Sequence, residues 1–106
     1  MATTLENEEV KIKPTITTSE CEEMLNEALA YMAKNSLKQA RIMNKQFYDV
    51  LRILQRMPKL GIKYKKGMRR IKLGKFRYLI YYKEKETEIE VVGIWHTSRG
   101  TEFINR

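Results

Sequence analysis

The sequence contains few of the residues that build disulfide-linked or metal-bound proteins. Its 106 residues include one cysteine, Cys21, and one histidine, His96. A lone cysteine cannot form an internal disulfide, and one cysteine with one histidine falls short of the clustered ligands of a metal site. A glycine-rich loop that could cradle a phosphate is also missing. We therefore expect a protein without metal or cofactor, located in the reducing cytoplasm.

Long apolar stretches are missing as well. No apolar run approaches the roughly 20 residues that a membrane-spanning helix needs, so we expect no membrane partner. The N-terminal residues "MATTLENEEV" lack the basic and apolar regions of a secretory signal. A hydrophobic content of 42% over this length fits one small folded domain. We assign residues 1–9 to an acidic, disordered N-terminus and residues 10–106 to a single domain.

Acidic residues are scarce in most of the chain. Residues 1–30 contain seven acids and two bases, whereas residues 52–77 contain eleven Lys or Arg and no acid. The formal charge of the whole chain is +8. Mixed charges would serve solubility better, because unbalanced cations repel one another in the folded state. The pattern therefore favours a polyanion or an acidic protein as partner over simple solubility.

Apolar spacing predicts two helices. Ser19 with Glu22, and Ser36 with Gln39, have the spacing of capping boxes, and Pro58 ends the second helix. Behind each cap, apolar residues recur at helical spacing. The first stripe is Cys21, Met24, Leu25, Ala28, Leu29 and Met32, and the second is Ala40, Met43, Phe47, Val50, Leu51 and Leu54. We interpret Cys21 as a core thiol, and the methionines at positions 24, 32, 43 and 57 as core residues.

Alternating patterns predict the strands. A short strand is predicted over residues 10–16, and Pro14 either confines it to a sheet edge or ends its pairing. Three further strands are predicted over residues 68–73, 76–83 and 89–96. The order β-α-α-β-β-β indicates an α+β fold in which two helices pack on one face of a mainly antiparallel sheet. The other face is left to solvent or to a ligand.

Basic and hydroxyl-bearing residues are expected to meet at one end of this sheet. The last two strands run in opposite directions, so Arg77 at the start of one lies near His96 at the end of the other. Arg70 and Lys72 join them if the register places them on the same open face, and Arg99 follows in "GIWHTSRG". Arginines can bind a phosphodiester and an imidazole can move a proton. The alternative for His96 is a strand-end histidine with satisfied hydrogen bonds.

Tyrosines of the strands could stack on nucleic-acid bases. Aromatic residues in strands pack more often in the core, and we expect this for Tyr78 and Tyr82. Tyr81 lies on the strand face predicted for Arg77 and is kept as a binding candidate.

The segments "MPKLG", "MRRIKLGKFRYLIYYKE" and "IEVVGIWHTSRG", placed after a two-helix half, resemble the RelE/ParE superfamily of type II toxin–antitoxin toxins, which includes ParE-like plasmid stabilisation proteins. The resemblance covers about residues 10–100 and depends on the order and spacing of these segments. It implies a small basic toxin that inhibits growth unless a cognate antitoxin binds it. An acidic antitoxin segment would fit the basic surface.

The resemblance leaves two targets open. In one branch the toxin cleaves ribosome-bound mRNA by attack of a 2′-hydroxyl, and a tyrosine or histidine near the C-terminus often acts as acid or base. Phe103 cannot transfer a proton, whereas His96 can. The catalytic residues in this case are Arg70, Lys72, Arg77 and His96. In the other branch the toxin poisons DNA gyrase, needs no catalytic group and tends to end its last strand in His-x-x-Arg, as "HTSR" does here.

We therefore interpret the chain as a ParE/RelE-type toxin and prefer the gyrase-directed alternative to the mRNA endonuclease. A non-catalytic nucleic-acid-binding module is a third alternative. The candidate target- or RNA-binding residues are Arg69, Arg70, Lys72, Arg77, Tyr81, His96 and Arg99.

Overall fold

The structure is a computed structural model and describes residues 12–97. Its elements follow one another as β1 (Thr15–Thr17), α1 (Ser19–Ala33), α2 (Leu37–Arg56), β2 (Ile62–Lys63), a short 3-10 helix (Lys65–Gly67), β3 (Arg69–Lys72), β4 (Tyr78–Glu84) and β5 (Ile89–His96). Arg99, Phe103 and the N-terminal residues 1–9 lie outside the described residues. Within these, no helix is long and apolar enough to span a membrane, and no group of three or more His, Cys, Asp or Glu could hold a metal ion.

The strands form one sheet in the order β1-β5-β4-β3-β2. β1 runs parallel to β5, and the other neighbours are antiparallel. The α+β fold with two helices packed against the sheet is confirmed. β1 begins after Pro14, later than predicted, although Pro14 contributes its carbonyl oxygen to the Ile89 N–H at 2.8 Å. β2 was not predicted, because its two residues are both exposed and show no alternation.

The two helices begin at hydroxyl caps. The hydroxyl of Ser36 accepts the Gln39 N–H at 3.1 Å, as predicted. For α1 the predicted cap is wrong by one residue, since Thr18 accepts the Cys21 N–H at 3.0 Å. The Glu22 carboxylate accepts a hydrogen bond from the Thr17 hydroxyl instead. Each cap satisfies one of the N–H groups that a helix start leaves without a partner.

The main core lies between the helices and one face of the sheet. Cys21, Phe47 and Leu51 are buried there, and Leu29 is partly buried against them. Burial raises the pKa of the Cys21 thiol to about 12, in keeping with its predicted core role. The prediction for Met57 is wrong. This residue follows the last turn of α2, where the chain leaves the core, and its side chain is 52% exposed.

A second, smaller cluster partly fills the face of the sheet opposite the helices. Its buried members are Met68 and Tyr81, and Tyr64, Leu79, Val92 and Trp95 pack around them. Gly93 makes room for it, since a Cβ there would clash with the ring of Trp95. We call this side of the sheet the open face, because no helix covers it among the described residues.

Candidate functional site

Two predicted cations lie side by side on the open face. Arg70 pairs with Tyr81 across β3 and β4, and Lys72 pairs with Leu79. Residues directly opposite in a ladder project to the same side of the sheet, so both cations stand beside the second cluster. The Arg70 guanidinium carbon lies 4.8 Å from the centre of the Tyr64 ring, within the range of a cation–π contact. This contact fixes the Arg70 side chain, while Lys72 is exposed.

Tyr81 forms the floor of this surface. Its ring meets those of Tyr64 and Trp95 edge to face, with centroids 5.4 and 5.0 Å away. The side chain is fully buried, and its hydroxyl has no hydrogen-bond partner among the described residues. Tyr81 therefore cannot stack on a base in this conformation. It supports the cations above it as the middle one of three packed aromatic rings.

His96 lies on the other side of the sheet. It pairs with Tyr78 across β4 and β5, and the two rings meet edge to face at 5.0 Å. Tyr78 packs against the main core, as expected. A cavity of about 390 Å³ opens beside these rings, between the sheet and the junction of the two helices. The polar residues that line it are Asn35, Ser36, Gln39, Lys75, Arg77 and His96.

Arg77, the residue directly before β4, lines the same cavity. Its carbonyl oxygen accepts the Thr97 N–H at 2.9 Å, which ties the beginning of β4 to the end of β5. The expected proximity of Arg77 and His96 is therefore present. Arg70 and Lys72 do not join this pair. The register does place them on the open face, opposite Tyr81 and Leu79, but His96 lies on the side of the sheet that faces the helices. The sheet divides the predicted residues into two pairs.

Arg69 occupies a different environment from its neighbour. Its guanidinium donates to the carbonyl oxygens of Lys59 and Gly61 at 3.2 and 2.7 Å. Tyr82 holds the same loop, since its hydroxyl donates to the Pro58 carbonyl oxygen and accepts the Gly61 N–H, both at 2.8 Å. Burial raises the pKa of Tyr82, which is core, as predicted, with its hydroxyl inside the molecule. These side chains fix residues 58–61, a role that sequence spacing did not indicate.

A shared carboxylate holds the same loop from the other side. Glu84 binds Lys13 through one oxygen and Lys59 through the other, each at 2.9 Å. The hydrogen bonds from these two lysines, first Lys13 and then Lys59, lower the pKa of Glu84. Glu84 thus links the loop after α2 to the residues that precede β1.

Comparisons with known proteins agree with this architecture. Residues 16–100 match the family model described as the ParE toxin of the type II toxin–antitoxin system parDE. A solved structure of the chromosomal ParDE system from P. aeruginosa superposes with a TM-score of 0.69 at 16% identity. The match covers 81% of this chain and 97% of that one, and at this identity it shows a shared fold. No curated protein matches significantly.

The family match covers most of the chain and identifies a toxin, so the third alternative, a nucleic-acid-binding module without toxicity, no longer applies. It also implies an antitoxin as a partner. The chain therefore belongs to the ParE toxin family and is the toxin component of a type II toxin–antitoxin system.

Proposed function

We propose that this toxin inhibits growth by binding DNA gyrase in the cytoplasm, with the open face as its recognition surface, and that an acidic segment of its antitoxin relieves the inhibition. The observation that supports this proposal is the division of the predicted residues across the sheet. Arg70 and Lys72 stand on the open face, whereas His96 stands on the helix side.

Cleavage of RNA by all of these residues together would need a different arrangement. A general base or acid must come within about 2.6–3.2 Å of the atom whose proton it moves. The cations that stabilise the transition state must contact the same phosphate. The sheet itself separates the two groups, since His96 pairs with Tyr78 on the side of the main core and Arg70 pairs with Tyr81 on the side of the second cluster. One phosphate cannot touch groups on both sides of the sheet, which favours recognition over cleavage by this set.

The open face has the properties of a preorganised recognition surface. The rings of Tyr64, Tyr81 and Trp95 pack edge to face, so little side-chain entropy remains to be lost on binding. The cations above them attract an acidic partner and increase its rate of association. Exposed charges are screened over about 10 Å at 0.1 M salt, so binding of the antitoxin and of gyrase should weaken as salt rises.

The mRNA endonuclease remains a second candidate because of one observation. Arg77 and His96 line the same cavity, together with Lys75. In that case the arginine would bind the scissile phosphate and the imidazole would transfer a proton.

Two assays with purified toxin separate the candidates. One measures DNA supercoiling by gyrase, and the other maps ribosome-bound message by primer extension. The test variants are Arg70→Gln with Lys72→Gln on the open face, and Arg77→Gln with His96→Gln in the cavity. The matched control is Lys38→Gln with Arg41→Gln, which removes two exposed charges from α2.

The gyrase proposal expects the wild-type toxin to block supercoiling and to leave the message intact. Addition of the antitoxin should restore supercoiling by gyrase. The open-face variant should inhibit gyrase at least about tenfold more weakly than the wild type, since each 1.4 kcal/mol of lost binding free energy lowers the affinity by a factor of ten. The α2 control should behave as the wild type. Message that the wild type cleaves and the cavity variant leaves intact would establish the nuclease instead. Supercoiling that the wild-type toxin leaves unchanged would rule out gyrase as the target.

A further inference from the structure

A groove after α2 exposes apolar side chains on a rigid backbone. Met57, Pro58, Lys59 and Leu60 line about 440 Å³ of space, which we call the Met57 groove. Leu60 is 46% exposed, and so is Ile53, one turn before Met57. The hydrogen bonds from Tyr82 and Arg69 hold this backbone from beneath. A fixed, exposed apolar surface of this kind is typical of an interface.

The charge around the groove is mainly positive. No acidic residue occurs in the sequence between Asp49 and Glu84. Arg56, Lys59 and Lys63 are exposed on the segment that carries the groove. Glu84 is shared by two lysines and does not balance them. An occupant that fits this surface combines apolar side chains with acids.

The N-terminal part of the chain arrives beside this groove. The Lys13 N–H donates to the Gln55 carbonyl oxygen at 3.1 Å, within the last turn of α2. The Lys13 ammonium and the Lys59 ammonium bind the same Glu84 carboxylate. Residue 12, the first that the structure describes, is therefore adjacent to the lining of the groove.

The residues before this point have the complementary chemistry. Residues 1–11 read "MATTLENEEVK", with three glutamates at positions 6, 8 and 9, apolar Leu5 and Val10, and Lys11 as the only basic side chain. This segment precedes the family match, which begins at residue 16. An extended chain spans up to about 3.3–3.6 Å per residue, so eleven residues reach well beyond the groove.

We propose that residues 1–11 dock on the Met57 groove as its built-in occupant. The glutamates pair with the cations around the groove, and Leu5 or Val10 covers the apolar surface. Attachment through residue 12 gives the segment an effective concentration in the mM range, so a weak contact suffices. A partner that uses the groove must displace the segment, which lowers that partner's apparent affinity. A second copy of the chain is a poorer occupant, since two basic surfaces repel each other.

Paramagnetic broadening of methionine methyl signals tests this proposal. A spin label is attached to the full chain carrying Ala2→Cys, with ¹³C-methyl methionine throughout. Cys21 does not react, because it is fully buried and its pKa is about 12. The readout is the Met57 methyl. Met32, in the last turn of α1, is the internal reference. Its carbonyl oxygen accepts the Ser36 N–H at the start of α2, whereas Met57 follows the other end of this 20-residue helix, which is about 30 Å long.

The expected result is loss of the Met57 signal with little change at Met32. The broadening should largely disappear at 1 M salt, where the screening length falls to about 3 Å. It should also disappear when Glu6→Gln, Glu8→Gln and Glu9→Gln are combined. The matched control combines Glu23→Gln, Glu27→Gln and Glu86→Gln, three exposed acids elsewhere, and should keep the broadening.

Three results would overturn the proposal. Equal broadening of both methyl signals would mean that the segment samples the surface without docking. Broadening that the glutamate variant keeps would exclude the charge complementarity. A mixture of spin-labelled chains without ¹³C and ¹³C-labelled chains without a spin label should show no broadening. Its appearance there would identify a second copy as the occupant.

Discussion

Tyr82 and Gly61 fit against each other with no room for a side chain between them. The Tyr82 hydroxyl accepts the Gly61 N–H at 2.8 Å, and a Cβ on Gly61 would lie 2.6 Å from that oxygen. The tyrosine is fully buried in β4, whereas the glycine belongs to the loop before β2. This pair fixes the position of the loop relative to the sheet.

Tyr82→Phe should destabilise the protein by about 1–3 kcal/mol. The change leaves the Gly61 N–H and the Pro58 carbonyl oxygen without their side-chain partner, while the ring still fills the core. Urea unfolding measures the loss. Tyr48→Phe, which alters an exposed tyrosine on α2, is the control and should change stability by less than about 0.5 kcal/mol. Equal effects of the two variants would contradict the role of the Tyr82 hydroxyl.

Gly61→Ala should cost about 1–3 kcal/mol through overpacking. The new methyl group would meet Tyr82 and, at 2.9 Å, the backbone oxygen of Arg70, which cannot move without disturbing β3. Adding Tyr82→Phe should relieve only part of this cost, because the Arg70 contact remains. A double-mutant cycle by urea unfolding measures the coupling. Strict additivity of the two changes would show that they do not share a contact.

Leu51→Ala should destabilise the fold by about 2–5 kcal/mol, because Leu51 is buried in the main core and its loss leaves a cavity. Thermal or urea unfolding checks this. Leu37→Ala, at the exposed start of α2, is the matched change and should be nearly neutral. A comparable loss for Leu37→Ala would mean that the helices pack differently.

Stability should fall in acid partly through Glu84. The pKa of this group is lower in the folded protein than its ordinary value near 4.5. Its contribution is therefore complete above that value and is lost as the pH falls through the lower, folded pKa. Glu84→Gln should flatten this acid limb when unfolding is measured from pH 6 to about pH 3. Glu86→Gln removes a charge from the same hairpin without touching Lys13 or Lys59, and it should leave the limb unchanged.

The sequence was informative where a pattern repeats over several turns. Both helices could be predicted, because an apolar stripe runs along most of each, in helices of 15 and 20 residues. The side of the sheet that His96 occupies was also accessible, since His96 stands two residues after Ile94 and alternation places both on one face. The hydrogen bonds by which Tyr82 holds the loop of residues 58–61 could not be predicted. Tyr82 contacts Gly61, which is 21 residues away in the sequence, and no local pattern encodes that contact.

The place of β5 between β1 and β4 has a consequence for synthesis of the toxin. β1 is made first, yet its only strand neighbour in the described sheet is β5, which is made last. A growing chain on the ribosome can form the α1–α2 hairpin early, but the sheet closes only after residue 96 has emerged. Assembly of the fold thus depends on a contact between its two ends, and such distant contacts form slowly. In a product truncated before β5, the first strand would lack its partner and the apolar core would stay exposed to chaperones and proteases.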